Sequence, residues 1–376
     1  MTRRLAIWTS RAILAGGWAV AGAWLLGMAT NDRWLWSQFF WWLPTPVAAT
    51  GVAGATGLSW LLWLGARGGR SPQERARDRR ALAVSWSVAG ALTLLFIFME
   101  ARIYRAILPA PDAPDHPLRL LTWNINTARI EDVPARVAPL HPDVFLMANR
   151  PYFGSFGDLR ATVGEHTSVA AGGRLAVISR YPVIAYTHVP LEVTGADPRT
   201  HRWPGGGMVS IDRGEALLVL LDTKEWNGST VCLWLVDMPS DPPIPRSTMM
   251  QQARSAIEGF TGPAYLPRQN AADQPVPAAE DLRRALLTPD IISGDCNTPR
   301  HSWSISRVLA PGMRYAPDLA GYGWRTTFPA GWAALAIDNT LLSDRLACSF
   351  YDVYELSTRP RDHLAQLTVI APAPDR

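Results

Sequence analysis

Lysine is almost missing from this chain. Lys224 is its only copy, so nearly every positive charge is Arg. Cysteine is also scarce. Cys232, Cys296 and Cys348 allow one bridge at most and no CxxC pair occurs, which excludes a disulfide framework and leaves the redox compartment open. Charged residues make up only 18% against 48% hydrophobic, below the usual quarter. That balance excludes disorder over the whole chain and fits a purely soluble protein poorly. No internal repeat is present, and no basic run occurs beyond the first third.

The formal charge of +4 hides a split. Residues 1–105 hold 12 Arg against Asp32, Glu74, Asp78 and Glu100, a net of +8; residues 106–376 carry a net of −4. The pI of about 9.1 therefore belongs to the first third and gives no ground for a nucleic-acid-binding surface in the rest.

Long apolar runs are what the first third does have. Three charge-free stretches, about 12–29, 43–64 and 81–99, match the roughly 20 residues that cross a hydrocarbon core. Ten of the 17 Trp fall here, with Trp34, Trp36, Trp41 and Trp42 beside the second stretch. Indole rings favour the bilayer interface. The Arg side chains give an orientation. Arg3, Arg4 and Arg11 precede the first stretch, and Arg67, Arg70, Arg75, Arg77, Arg79 and Arg80 fill the loop expected between the second and third. Positive loops stay cytoplasmic, so the reading is N-terminus inside, three crossings and the remainder outside. A cleaved signal peptide is the rival for the first stretch. The expected division is a membrane anchor at 1–105, a Pro-rich linker at 106–117 (AILPAPDAPDHP) and a domain at 118–376.

In that domain the texture turns to short apolar segments of strand length at 118–125, 174–181, 208–211, 216–222, 231–238, 290–293, 335–343, 348–356 and 364–370. Residues 212–215 resemble a hairpin turn. Helices are expected at 133–140, 249–260, 280–287 and 302–309, and a surface loop at 262–278. Many strands with few helices point to two packed sheets covered by helices.

Polar residues at the ends of these segments are the candidates for chemistry, because a strand end hands a side chain to solvent from a rigid base. LRLLTWNIN places Asn124 inside an apolar strand, where its amide needs partners. IISGDCNT places Asp295 and Asn297 two apart, on one side if the chain stays extended; an Asx turn is the alternative. LAIDNTLLS places Asp338 among apolar residues. RPRDHLAQLTVI places Asp362 and His363 at the head of the last strand, and a carboxylate near an imidazole raises its pKa and fixes its tautomer.

In order and spacing these segments resemble the endonuclease/exonuclease/phosphatase superfamily. LRLLTWNI, PDVFLMANR (142–150), GRLAVISRYPV (173–183), LVDMPSDP (235–242), IISGDCNTP, GWRTTFP, AIDN and RDH stand where that family has its signature segments. The resemblance implies a DNase-I-like four-layer α/β sandwich, two packed β-sheets flanked by helices, preceded here by three transmembrane helices. It implies a Mg2+- or Mn2+-dependent phosphoesterase at a bacterial plasma membrane, with the domain periplasmic or extracellular. Asn124, Asp362, Asp237 and Asn149 are implied as the metal set. Asp295, Asn297, Asp338 and His363 are implied as the catalytic set. The match departs from the family at four positions. The family's metal-binding Glu falls on Asn149 and its mid-chain His on Asp237; Ala336 and Asn339 replace an Arg and a His. A decayed domain that binds without turnover is therefore the alternative. The expected partners are the lipid bilayer and a phospholipid or small phosphoester. Nucleic acid is disfavoured by the domain's net −4.

Overall fold

The computed structural model describes all residues except 1–2, 67, 69–70, 109–115, 126–131, 151–156, 165–166, 196–199, 203–207, 211–212, 268–273, 277–278, 358, 361 and 375–376. Most of the expected linker thus lies outside the described residues. The chain forms two compact units, Met1–Ile107 and Leu108–Arg376.

The first unit holds α1 (Arg3–Thr30), α2 (Leu35–Trp41), α3 (Thr45–Ala66) and α4 (Pro72–Leu95), the last continuing through a π-helical turn to Glu100. Three helices are long and apolar enough to cross a membrane: Arg4–Thr30, Thr45–Ala66 and Pro72–Glu100. They pack through Ala21, Trp24, Ala48, Val52, Ala89 and Leu92. Several polar side chains of the bundle hydrogen-bond across helices. The Trp24 indole N–H donates to Thr45 Oγ1 at 2.9 Å, and Trp18 donates to Ser85 Oγ at 3.0 Å. One expectation is corrected. Arg75, Arg77, Arg79 and Arg80 lie not in a loop but in the first turns of α4. Ser71 caps that helix, accepting the Glu74 N–H at 3.2 Å while Glu74 accepts the Ser71 N–H at 2.9 Å. Pro72 follows at the first helical position, where its missing N–H costs nothing.

The second unit contains β1 (Leu118–Asn124), α5 (Val133–Val137), β2 (Val144–Ala148), α6 (Gly157–Val163), β3 (Ser168–Gly172), β4 (Leu175–Ser179) and β5 (Val183–Pro190). There follow β6 (Thr200–Arg202), β7 (Met208–Ser210), β8 (Glu215–Asp222), α7 (Lys224–Asn227), β9 (Thr230–Asp237), α8 (Arg246–Glu258), β10 (Ala264–Leu266) and β11 (Gln274–Val276). The chain ends with α9 (Glu280–Leu286), β12 (Ile291–Asp295), β13 (Arg314–Tyr315), α10 (Ala316–Ala320), β14 (Asp338–Leu342), β15 (Leu346–Tyr354) and β16 (Ala365–Pro372). Among the described residues the strands form a sheet in the order β15-β16-β1-β2-β4-β3, a second in the order β11-β10-β5-β8-β9-β12-β14-β13, and the small pair β6-β7.

Both large sheets are apolar on both faces, so their strands read as continuous apolar runs rather than alternating ones. In β8, Leu217, Val219 and Leu221 enter the layer between the sheets with Leu120, Leu146 and Val177, whereas Ala216, Leu218 and Leu220 face Met249, Met250 and Ile257 of α8. On the far side, Trp123, Phe145 and Met147 pack against Val133, Val137 and Leu159 of α5 and α6. The result is helix, sheet, sheet, helix, the four-layer sandwich that the resemblance implies.

Two local expectations fail. Residues 262–278 are not only loop, because β10 and β11 extend the second sheet there. Residue 212 of the expected turn lies outside the described residues, and among the described strands no hairpin joins β7 to β8. β7 pairs with β6, whereas β8 pairs with β5 and β9. All three cysteines are buried and free.

Candidate active site

The second sheet carries a row of acids across four adjacent strands. Glu215 is in register with Asp237, Asp237 with Asp295, and Asp295 with Asp338. Residues in register share a face. That face looks toward the first sheet: Ser293, two residues before Asp295, is 2.8 Å from Thr122 Oγ1 of β1 and 2.7 Å from Thr340 Oγ1. The layer between the sheets is therefore apolar at its centre, hydroxyl-bearing in the next row and acidic in the last. Asp237, Asp295 and Asp338 are all buried. Like charges directly opposite on neighbouring strands repel, and burial raises the cost of each. Such a row persists only where other groups answer it.

His363 answers one side. Its Nδ1 lies 2.8 Å from Asp338 Oδ2 and its Nε2 3.7 Å from Asp295 Oδ2. The ring is held by its surroundings. Trp123 Nε1–H donates to the His363 carbonyl at 3.1 Å, Phe328 packs against the ring at a tilt of 43° and a centroid distance of 4.8 Å, and the Leu364 N–H donates to the Thr327 carbonyl at 2.7 Å. Asn124, from the first sheet, donates Nδ2–H to Asp295 Oδ2 at 2.9 Å and accepts from Asn149 Nδ2–H at 3.1 Å. On the other side Arg174 Nη2 is 3.4 Å from Asp237 Oδ2, and Glu215 pairs with His188 at 2.9 Å. Gly294 makes the strand end possible. Its φ is 137°, and a Cβ there would strike the Val236 carbonyl of the neighbouring strand.

The electrostatics follow from this packing. Burial, with Asp338 adding repulsion, raises Asp295 to about 7, against the opposing pull of His363 and the hydrogen bonds from Asn297 and Asn124. Asp237 is pushed well above the usual carboxylate range by burial and by Asp295. His363 is subject to opposite forces. Burial alone would lower it, but the charges of Asp338, Asp295 and Asp237 and the bond to Asp338 raise it to about 9. A carboxyl near 7 beside an imidazole near 9 is an arrangement typical of proton-transfer sites.

The residues singled out from sequence divide as follows. Asn124, Asp295, Asp338 and His363 meet directly, Asn149 joins through Asn124, and Asp237 stands one strand away. Asn297 contributes through its backbone. Its φ of 44° turns the chain, its N–H donates to Asp295 Oδ1 at 2.8 Å, and its side-chain amide donates to the Met238 carbonyl at 2.7 Å. The Asx turn, not the extended chain, is what forms there. Asp362 accepts the Ser357 hydroxyl, and His363 pairs with Asp338 rather than with its sequence neighbour. Sequence reading passed over Glu215, His188 and Arg174. Their signal is register across strands, which a single sequence does not display.

Asp295, Asp338 and His363 could hold a metal ion, since their ligand atoms lie within 4.8 Å of one another and all three are buried. Two carboxylates with an imidazole and a nearby amide suit a divalent cation. The row has more acids than neighbouring cations, and a bound cation would relieve that excess.

The profile of the Endonuclease/Exonuclease/phosphatase family matches residues 121–358. Among solved structures, an endonuclease/exonuclease/phosphatase family protein from Bacteroides thetaiotaomicron is similar at 14% identity and TM-score 0.46, covering 68% of this chain and 97% of that one. D. rerio TDP2, solved with a single-strand DNA product, is similar at 12% identity and TM-score 0.44, covering 68% and 99%. No curated protein matches the chain. With a profile that matches more than half of the chain and includes every residue of the acidic row, the chain belongs to the endonuclease/exonuclease/phosphatase family.

Proposed function

We propose that residues 118–376 form a divalent-metal-dependent phosphoesterase, tethered by the helices of residues 1–105 to a bacterial plasma membrane and facing outward. The observation that carries this reading is the meeting of Asp295, Asp338 and His363 at one buried point.

Asp295 takes the proton of the attacking water, for which a carboxyl near 7 is suited. His363 stays protonated and donates through Nε2–H to the phosphoryl or leaving-group oxygen. Asp338 fixes the ring by accepting at Nδ1. Asn297 holds the Asp295 carboxylate from its other side. Asn124, Asp237 and Asp295 would offer the oxygen donors for Mg2+ or Mn2+, so that of the Asp295–Asp338–His363 group only Asp295 would touch the ion while Asp338 and His363 keep their own hydrogen bond, and Asn149 fixes the Asn124 amide. A bound cation supplies positive charge to the phosphoryl oxygens. Asp362, implied as a metal ligand, is engaged by Ser357; we assign it to shaping the segment that carries His363. A phospholipid headgroup or small phosphoester suits a site confined near a bilayer better than polymeric nucleic acid does, because the domain is net −4.

One observation favours a second reading, a domain that binds without turnover. The Asn124 amide oxygen, a metal ligand in the first reading, accepts from Asn149. The two readings separate in one experiment. The full chain in nanodiscs is assayed on bis-p-nitrophenyl phosphate with Mg2+ or Mn2+, beside Asp295→Ala. Metal-dependent turnover that falls at least 100-fold in the variant is expected. Absence of turnover, with no metal binding at millimolar concentration by calorimetry, would leave the second reading.

A further inference from the structure

Among the described residues of the second unit, the exposed large apolar side chains are Leu108, Tyr322, Trp324, Trp332 and Phe350. Three of these lie on one segment, between α10 and β14. That segment is anchored at the candidate site. Phe328 packs on the His363 ring, the Ala330 N–H donates to the Asp362 carbonyl at 2.8 Å, and the Gly331 N–H donates to the Pro360 carbonyl at 3.1 Å. Its two arms are tied to each other as well. Trp324 Nε1–H and the Thr326 hydroxyl donate to the Ala333 carbonyl at 2.6 and 2.8 Å, and Phe328 and Leu335 exchange backbone hydrogen bonds.

The backbone here is tied down, but the indole of Trp332, in the 3₁₀ turn Ala330–Trp332, is left 73% exposed. An ordered, exposed aromatic cluster marks a contact surface. Residues 326–337 (TTFPAGWAALAI) carry no charge, and Arg359 is exposed beside Pro360, which accepts from Gly331. Aromatic rings on a charge-free tip with Arg at its rim suit a bilayer interface, the rings among the headgroups and the guanidinium toward anionic lipid. The chain itself brings lipid within range. Three of its helices have the length of a membrane span, and the stretch from Met99 to Leu118 reaches about 60 Å at most. The linker joins the domain at the end away from Asp237, where Trp226 Nε1–H donates to the His116 carbonyl at 2.6 Å. Its reach exceeds the roughly 27 Å of the 8-residue strand β9, so the acidic end is not kept from the bilayer.

We propose that this loop is a lipid-docking surface. Trp332, with Tyr322 and Trp324, enters the interface of a bilayer, Arg359 faces its anionic headgroups, and the candidate site is thereby set at headgroup level. This rests on the membrane tether of the proposed function and not on turnover. A nucleic-acid base stacked on Trp332 or a second copy of the chain would also cover the ring, so the test must read depth in lipid.

The full chain is placed in nanodiscs of phosphatidylcholine with phosphatidylglycerol and carries one nitroxide. The three cysteines are buried, so an introduced one is labelled alone. Labels go at Ala330→Cys, at Leu61→Cys on the exposed side of α3 and at Glu225→Cys on α7. Collisions with oxygen and with a water-soluble nickel chelate are compared. A lipid signal at Leu61 and an aqueous one at Glu225 are expected, with nickel collisions at Ala330 about threefold or more below those at Glu225. Trp332→Ser should return the Ala330 label to the aqueous value. A depth unchanged by Trp332→Ser would overturn the proposal, and an equal depth in phosphatidylcholine alone would overturn the part given to Arg359. An aqueous signal at Ala330 with Leu61 in lipid would also overturn it and leave the tether standing. That holds whether the signal is mobile, broadened by a second labelled copy or slowed by an added oligonucleotide. An aqueous signal at Leu61 would remove the tether and the proposal together.

Discussion

At the scale of the residue, the site is governed by how one imidazole is charged. His363 is buried, and burial by itself favours the neutral ring. It is held protonated by Asp338, Asp295 and Asp237, of which Asp338 also makes the hydrogen bond. Replacing Asp338 with Asn removes the nearest charge and leaves the burial. The expected outcome is a His363 titration that falls from about 9 toward or below its ordinary 6.5, followed by the ring proton resonances of the metal-free protein. The pH–rate profile should move with it. In the wild type the rising limb belongs to Asp295 near 7 and the falling limb to His363 near 9. A bound cation lowers the Asp295 limb. In Asp338→Asn the falling limb should move to lower pH. An unmoved falling limb would mean that a different group carries the leaving-group proton.

At the scale of the element, the acidic row is a cost borne by the sheet. Asp295 stands between Asp237 and Asp338 on adjacent strands, and its carboxyl is raised from 3.8 to about 7. A carboxyl whose folded pKa lies above its unfolded one favours folding most when protonated. Stability is therefore highest below about 3.8, declines as pH rises through the interval to about 7, and stays reduced above it. Asp295→Asn keeps the shape and removes the charge. The metal-free variant should melt higher than wild type at pH 8 and nearly equal to it at pH 4, by calorimetry with chelator present, while turnover is lost. A lower melting temperature at pH 8 would mean that the partners of Asp295 outweigh the repulsion. This scale also separates what was legible in the sequence from what was not. Asn124, Asp295, Asp338 and His363 are visible in the sequence because each is a polar residue at one end of an apolar strand or just before it. Glu215 and Arg174 are not, because which strand neighbours which is a property of the fold. Charge alone points to a loop at residues 75–80, whereas the Ser71–Glu74 cap and Pro72 start a helix there. At Asn297 the Asx turn forms instead of the extended chain, because the Asp295 carboxylate captures its N–H.

At the scale of the whole molecule, the question is which side of a membrane the acidic row would face. An odd number of crossings puts the two ends of the chain on opposite sides, and three helices meet the length and hydropathy of a span. The capped start of α4 sharpens the third. Its Arg side chains occupy the first turns, so the charge-free part begins at Ala81 and ends at Met99, about 29 Å of helix at 1.5 Å per residue. That is the thickness of a hydrocarbon core. Arg75 through Arg80 then lie at the N-terminal end of that charge-free part, and the bias of positive residues would put that end in the cytoplasm. The native cysteines are buried, so a new one reports alone. Glu225→Cys, on exposed α7, should react with a membrane-impermeant maleimide in intact spheroplasts, whereas Arg77→Cys should react only after permeabilisation. The opposite pattern would place the site in the cytoplasm and remove extracytoplasmic headgroups from its substrates. Labelling of both positions in intact cells would mean that fewer than three helices cross.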